Sequence, residues 1–221
     1  MSQNVVIFDF DGTLIRRDST LWLIKELVRR NPWKLPAAFC YLVGMYFARG
    51  KDPAQLQKLK CRCIGSLVKG KSLEALKQPL DRFRAKVLNQ KVTQSFERLL
   101  QAHSDGQRVL VVTASAAFAI AHTLQDHPVT IVGTSYQLDN NRFTGELIGE
   151  PCFHEAKVVF VDKWLAKLNL SWADVVESWG DSSTDWSLMQ KCCKRYWVSS
   201  SQRKAAELRS IDPEGIFYTL E

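Results

Sequence analysis

Two aspartates stand two residues apart in Asp9-Phe10-Asp11-Gly12-Thr13-Leu14, directly behind the apolar run Val5-Val6-Ile7-Phe8. In an extended chain residues two apart share a side, so Asp9 and Asp11 would repel unless a cation lay between them. Magnesium, which takes oxygen ligands and phosphate oxygens, suits that position. Gly12 lets the backbone turn away. The alternative is a solvated, helix-capping loop, but such a loop has no need of two acids behind four apolar residues. Thr113-Ala114-Ser115 follows Val111-Val112 in the same way, and offers hydroxyls and backbone N–H groups to an anion at a helix start. Ordinary N-capping explains it equally well. Gly180-Asp181-Ser182-Ser183-Thr184-Asp185, after Val175-Val176-Glu177-Ser178-Trp179, again sets two acids among small residues, as a metal-binding loop or as a capped turn. Lys157, at a helix start, becomes a candidate phosphate ligand only in the company of the other segments.

Those segments need elements that bring them to one place. Val5–Phe8 and Arg108–Val112 read as strands buried on both faces of a parallel sheet. Val129–Val132, Val175–Trp179 and Tyr196–Val198 read as further strands, and Tyr136–Leu147 as a hairpin around Asn140-Asn141. Helices are expected over Ser19–Asn31, Trp33–Ala48 with its end at Arg49-Gly50, a third capped by Asp52 with Pro53 following, and a fourth capped by Ser72. Pro79 predicts a kink or break in the fourth. Ala116–Gln125 and Glu155–Leu168 complete the helical readings. Strands alternating with helices specify an α/β, Rossmann-like doubly wound parallel sheet. The helical stretch between the first two strands is too long for one crossover, so an all-α cap is expected over 17–100, with the α/β core formed by 1–16 and 101–221. In such a sheet chemistry lies beyond the carboxyl ends of the strands, where the acid-bearing segments fall.

Bulk properties narrow the classes without choosing among them. The 221 residues carry a formal net charge of +7, which favours an anionic partner: a phosphorylated substrate, an anionic membrane surface or nucleic acid. Basic residues interspersed with aliphatics, without a reading motif, argue against nucleic acid. Six cysteines show no zinc spacing and read as reduced thiols. Met1-Ser2-Gln3-Asn4 runs into apolar residues without a basic leader, and the expected location is cytoplasmic.

Taken together, the four segments resemble the haloacid dehalogenase superfamily of aspartate-nucleophile phosphatases. The helical insertion resembles the cap of its phosphoserine-phosphatase-like subgroup, as do Arg142-Phe143-Thr144-Gly145 and His154-Glu155-Ala156-Lys157. The resemblance implies a magnesium-dependent phosphatase in which Asp9 forms an aspartyl-phosphate and Asp11 is acid and base, lending its backbone carbonyl to the metal. It assigns the phosphoryl oxygens to Thr113, Ala114 and Ser115, charge compensation to Lys157, metal ligation to Asp181, and to Asp185 the metal's outer shell or the orientation of Lys157. His154-Glu155 stands where phosphoserine phosphatases usually place a Gly-Asp-type turn, which bears on substrate rather than on chemistry.

Substrate choice belongs to the cap. Asp18 lies where phosphoserine phosphatases carry an acid for the substrate amine, or it caps the helix that follows. Residues 35–48 are uncharged for fourteen positions, too short to span a bilayer, with Arg29, Arg30, Lys34, Arg49 and Lys51 on their flanks. A buried cap helix and a segment settled peripherally on anionic membrane, at its inner face, both fit. The same feature, with His-Glu before the lysine, is similar to the C-type phosphatidylglycerophosphate phosphatases. A lipid phosphate and a small soluble phosphomonoester such as phosphoserine therefore both stand as expected substrates. A basic membrane-surface binding module with a degenerate phosphatase core, and a phosphotransferase, are the competing readings.

Overall fold

The computed structural model describes residues 4–48 and 52–220; Met1–Gln3, the expected helix end at Arg49-Gly50 and the flanking Lys51 lie outside the described residues. In chain order the strands are β1 (Val5–Phe8), β2 (Arg108–Ala116), β3 (Thr130–Thr134), β4 (Tyr136–Asp139), β5 (Arg142–Leu147), β6 (Val175–Gly180), β7 (Lys194–Ser199) and β8 (Ile216–Thr219). Six of them form one sheet in the order β3-β2-β1-β6-β7-β8, every neighbouring pair parallel. The chain winds outward from β1 in one direction and then returns to lay β6, β7 and β8 on its other side. The strand order thus reverses beside β1, where open α/β sheets bind ligands.

The helices are α1 (Thr20–Arg30), α2 (Leu35–Ala48), α3 (Pro53–Val68), α4 (Leu73–Leu88), α5 (Thr93–Ser104), α6 (Ala117–Thr123), α7 (Ala156–Lys167), α8 (Trp186–Met189) and α9 (Gln202–Ile211). Every residue of β1 is buried, which explains its unbroken apolar run. Val5 and Ile7 pack with Leu110, Val112, Val161 and Leu165 on one face of the sheet. Val6 and Phe8 pack on the other with Val111, Leu99, Ala119 and Ile120.

Helices α1 to α5 separate β1 from β2. Asp52 and Ser72 cap α3 and α4 by accepting the N–H groups of Gln55 and Ala75, as their positions predict. Pro79 does not break α4, which runs through it. The proline is buried within the packing of α4 against α1 and α6, and that packing outweighs the lost backbone hydrogen bond. Glu26, fully buried on α1, is held by Arg82 at 2.7 Å and by Lys86, joining α1 to α4. By contrast, α5 packs on β1 and β2.

The hairpin turns at Asn140 and Asn141, both with positive φ (47° and 60°), the conformation of the tight turns that asparagine tolerates. It docks β5 on α3, with Gly65 against Gly145 so closely that a Cβ on Gly65 would lie 2.2 Å from the Gly145 carbonyl oxygen. Among the described residues no helix is long and apolar enough to cross a membrane.

Candidate active site

β1 ends at Phe8, and the Asp9 N–H donates to the Trp179 carbonyl at 2.9 Å, so the first acid is fixed by the β1–β6 pairing. The chain then turns: the Gly12 N–H donates to the Ile15 carbonyl at 2.8 Å, with Gly12 at φ +87°. A Cβ on Gly12 would lie 2.2 Å from Asp181 Oδ2, so this glycine is required both by its conformation and by the acid packed against it. Asp9, Asp181 and Asp185 each present an oxygen, all within 4.8 Å of one another. That all-oxygen, carboxylate set fits a hard cation such as magnesium, and a side chain at Gly12 would collide with one of its members, Asp181.

Lys157, in the first turn of α7, is buried and donates from one ammonium to Asp9 Oδ1 at 2.5 Å and to Asp185 Oδ1 at 2.6 Å. Against burial, these two carboxylates hold its pKa above the ordinary lysine range. Asp185 also accepts the N–H groups of Asp181 (3.3 Å) and Ser182 (3.1 Å) on Oδ2. Against burial, Lys157 and these donors hold its carboxyl below the usual value. Asp9 goes the other way: burial, with the charges of Asp185 and Asp181, pushes it well above its ordinary value in spite of Lys157. Asp181 is raised to about 6 by burial and by Asp185. A divalent cation would relieve that crowding of negative charge.

The two acids of the opening motif do not share partners. Asp11 Oδ1 accepts the Ser19 N–H at 2.7 Å, and Oδ2 accepts the Ser115 hydroxyl. Its side chain therefore sits beside the cation cluster rather than in it, because the chain bends at Phe10, between the two acids. There the Leu14 N–H turns back to the Phe10 carbonyl at 2.9 Å, and the extended run that would have kept both carboxylates on one side has already ended. Burial, with the charge of Asp18, raises it to about 6, which suits a group that both gives and takes protons.

Thr113-Ala114-Ser115 proves to be strand rather than helix start. β2 continues to Ala116, with its pairing to β3 shifting register between Thr113 and Ala116, and α6 begins at Ala117. The shift turns Ala114 and Ser115 into a cavity of about 310 Å³ lined also by Asp9, Asp11, Asp18, Lys157, Asp181 and Asp185. Thr113 is buried, its hydroxyl accepting the Ser115 N–H at 3.0 Å. On the cap side the cavity meets Arg16, Arg17, Gln57 and Lys60. Gln57 on α3 donates to the Ala114 carbonyl at 2.7 Å, tying the cap helix to the end of β2. Asp18 accepts the Thr20 N–H at 2.8 Å and is paired with Lys60, so its charge is already met within the protein. The N-cap of α1 is Ser19. His154, preceding α7, has φ +51°, an unusual conformation for a non-glycine residue.

Among the residues that escaped the sequence reading, two make direct polar contacts with its named segments from remote helices. Lys204 on α9 donates to Asp181 Oδ2 at 2.5 Å, and Gln57 reaches the site from α3. Neither lies in a motif; each is a lone polar residue on a helix, with no spacing to mark it.

Residues 6–190 match the model of the haloacid dehalogenase-like hydrolases, so the chain belongs to that family. With the acid and ammonium set just described, it is a phosphatase of the haloacid dehalogenase type. It is 26% identical over 204 residues to a histidinol-phosphatase of Neisseria meningitidis serogroup C (strain 8013), covering 85% of this chain and 86% of that one. The fold is similar to that of a protein of unknown function from Bordetella pertussis Tohama I (TM-score 0.80, 22% identity, 99% of each chain). It is also similar to a substrate-bound phosphoserine phosphatase (TM-score 0.61, 17% identity, 96% of this chain and 92% of that one).

Proposed function

We propose that the protein is a magnesium-dependent phosphomonoester hydrolase acting through an aspartyl-phosphate on Asp9, with a lipid phosphate as substrate. An Asp9 carboxylate oxygen attacks phosphorus, and the bond to the ester oxygen breaks as the new bond forms. Asp11 gives its proton to the departing alkoxide and then takes one from the water that hydrolyses the aspartyl-phosphate. Ser115 and the backbone around Ala114 donate to the phosphoryl oxygens, and Lys157 balances their charge. Asp9, Asp181 and the Asp11 backbone carbonyl would hold magnesium, with Asp185 positioning Lys157. When bound, the metal would draw charge from the phosphoryl oxygens. The helices α1 to α4, within 17–100, act as the cap that selects the substrate.

One observation carries the lipid assignment. Helix α2 presents Leu35, Phe39, Val43, Tyr46 and Phe47 to solvent, with Tyr46 76% exposed; only Ala38, Met45 and Ala48 are buried. Positions spaced three and four apart make one outward stripe, extended by Trp33 at 82% exposure. The helix is buried along one face only, where Ala38, Met45, Tyr41 and Leu42 pack on the core, and its other face is apolar and meets water. Each such side chain gains about 1.5–3 kcal/mol on leaving water, so leaving a whole stripe out is costly unless something apolar covers it. Next to it, Leu21, Leu42, Met45, Tyr46 and Leu56 line an apolar groove that shares Asp18 and Lys60 with the catalytic cavity. A chain lying in that groove would bring its phosphate to Asp9. Of the basic flank, Arg29 and Arg30 are exposed, while Lys34 is spent on the Ser66 carbonyl at the end of α3.

The histidinol-phosphatase relative favours a second reading, a small soluble phosphomonoester carrying an amine. Asp18 would be the amine's partner, but it is paired with Lys60. A panel of phosphatidylglycerophosphate in vesicles, phosphoserine and histidinol phosphate separates the two. The lipid reading expects the first to be hydrolysed best and Phe39→Ser to lower that activity alone. Preference for a soluble substrate, with no cosedimentation on anionic vesicles, would overturn it. Magnesium-dependent turnover lost in Asp9→Asn excludes a degenerate binding module.

A further inference from the structure

The first turn of α9 holds a lysine where helix electrostatics oppose one. Ser201 caps this helix by accepting the Lys204 N–H at 3.3 Å, so Lys204 stands at the end whose partial positive charge favours acids. Helix stability therefore does not explain it. Its ammonium turns inward and donates to Asp181 Oδ2 at 2.5 Å, while the side chain as a whole is 30% exposed. Asp181 Oδ2 is the oxygen packed against the bare Cα of Gly12, and Asp181 is one of the three carboxylates that converge within 4.8 Å. The other two, Asp9 and Asp185, share Lys157. Three carboxylates thus face two internal ammonium groups, and the one on Asp181 comes from the solvent side on a flexible stem.

We propose that Lys204 is an internal competitor for the divalent cation. It holds the Asp181 oxygen that the metal would take, and so sets the cation concentration at which the site loads. The proposal rests on the reading of Asp181 as a metal ligand. Binding a doubly charged ion obliges the lysine to give up or share that oxygen, and leaves two cations side by side in a buried site. Because Lys204 is anchored on α9 beside the cluster, it can return when the metal leaves. Removing its charge raises the net negative charge of the three acids and their two ammonium partners from −1 to −2, so the bare site should bind cations more tightly.

The test is magnesium binding to the purified protein by titration calorimetry, with no substrate present. Lys204→Met and Lys204→Gln should bind magnesium roughly tenfold more tightly than the parent, which corresponds to about 1.4 kcal/mol. Lys204→Arg, which keeps the charge, should not gain affinity. Unchanged or weaker binding in both neutral variants would overturn the proposal, the weaker case making Lys204 a residue that positions Asp181. Asp181→Asn tests the underlying reading separately: undiminished magnesium binding there would remove Asp181 as a ligand. Thermal melts without metal establish that each variant is folded.

Discussion

Replacing Gly12 by alanine tests the geometry of the site at one atom. The added Cβ would meet Asp181 Oδ2 at 2.2 Å and its Cγ at 2.4 Å, far inside contact distance, and the backbone there has φ +87°. An L-residue in a left-handed conformation costs about 1–2 kcal/mol, before any clash. Restoring ordinary contact of about 3.5 Å requires Asp181 or the loop to move by more than 1 Å. A displacement of that size in a catalytic assembly lowers rate by about 100-fold. The expected result for Gly12→Ala is thus a fall of about two orders of magnitude in kcat/KM for an aryl phosphate, with weaker magnesium dependence. The melting temperature should fall by about 2–8 °C, given about 2–4 °C per kcal/mol for a chain of this size. Steady-state kinetics across a magnesium series, with a thermal melt on the same sample, measure all of these. A variant with near-parental kcat/KM and the parental magnesium dependence would refute the placement of Asp181 against Gly12.

Other perturbations follow from single contacts. Lys60→Met removes the partner of Asp18; on the second substrate reading it should improve turnover of an amine-bearing phosphomonoester relative to a neutral one, and no change in that ratio would count against Asp18 as a substrate contact. Gln57→Ala deletes the 2.7 Å bond to the Ala114 carbonyl and should cost about 1 kcal/mol in a denaturant melt, a measurement that also reads how far cap and core unfold together. Asp212 is buried with Arg195 and the Trp197 indole N–H, and against burial these donors lower its pKa. A lowered folded pKa stabilises above the unfolded value of about 3.9, and that stability is lost as pH falls through the folded value. Asp212→Asn should therefore destabilise by about 3 kcal/mol near neutrality, with the gap to the parent closing in acid melts below about pH 4. A gap that persists undiminished there would be inconsistent with this sign.

Much of the site was legible because its signals are local. Asp9 and Asp11 follow a β-branched apolar run that reads as a strand buried on both faces, Asp181 follows a shorter strand signal, and strands of such a sheet end where ligands bind. Asp52, Ser72 and the Asn140-Asn141 turn announced themselves by cap and turn chemistry. The losses have physical causes too. Pro79 read as a kink or a break, and no break occurs, because sequence shows the missing N–H and not the helices packed around it. Thr113–Ser115 read as a helix start because a strand that bulges resembles a cap. The apolar run 35–48 gives the same pattern whether turned inward or outward, and only the structure shows the stripe from Leu35 to Phe47 facing water. Lys204 and the helix that carries it went unread, since one lysine without a motif looks like any surface lysine.

The central claim is that Asp9 carries the phosphoryl group. The most direct measurement is rapid acid quenching during turnover of a phosphomonoester with radiolabelled phosphorus, followed by peptide mapping. Label should appear in the peptide that contains Asp9, be released by hydroxylamine as an acyl phosphate is, and vanish in Asp9→Asn. Label on another residue, or hydrolysis that persists in Asp9→Asn, would contradict the account.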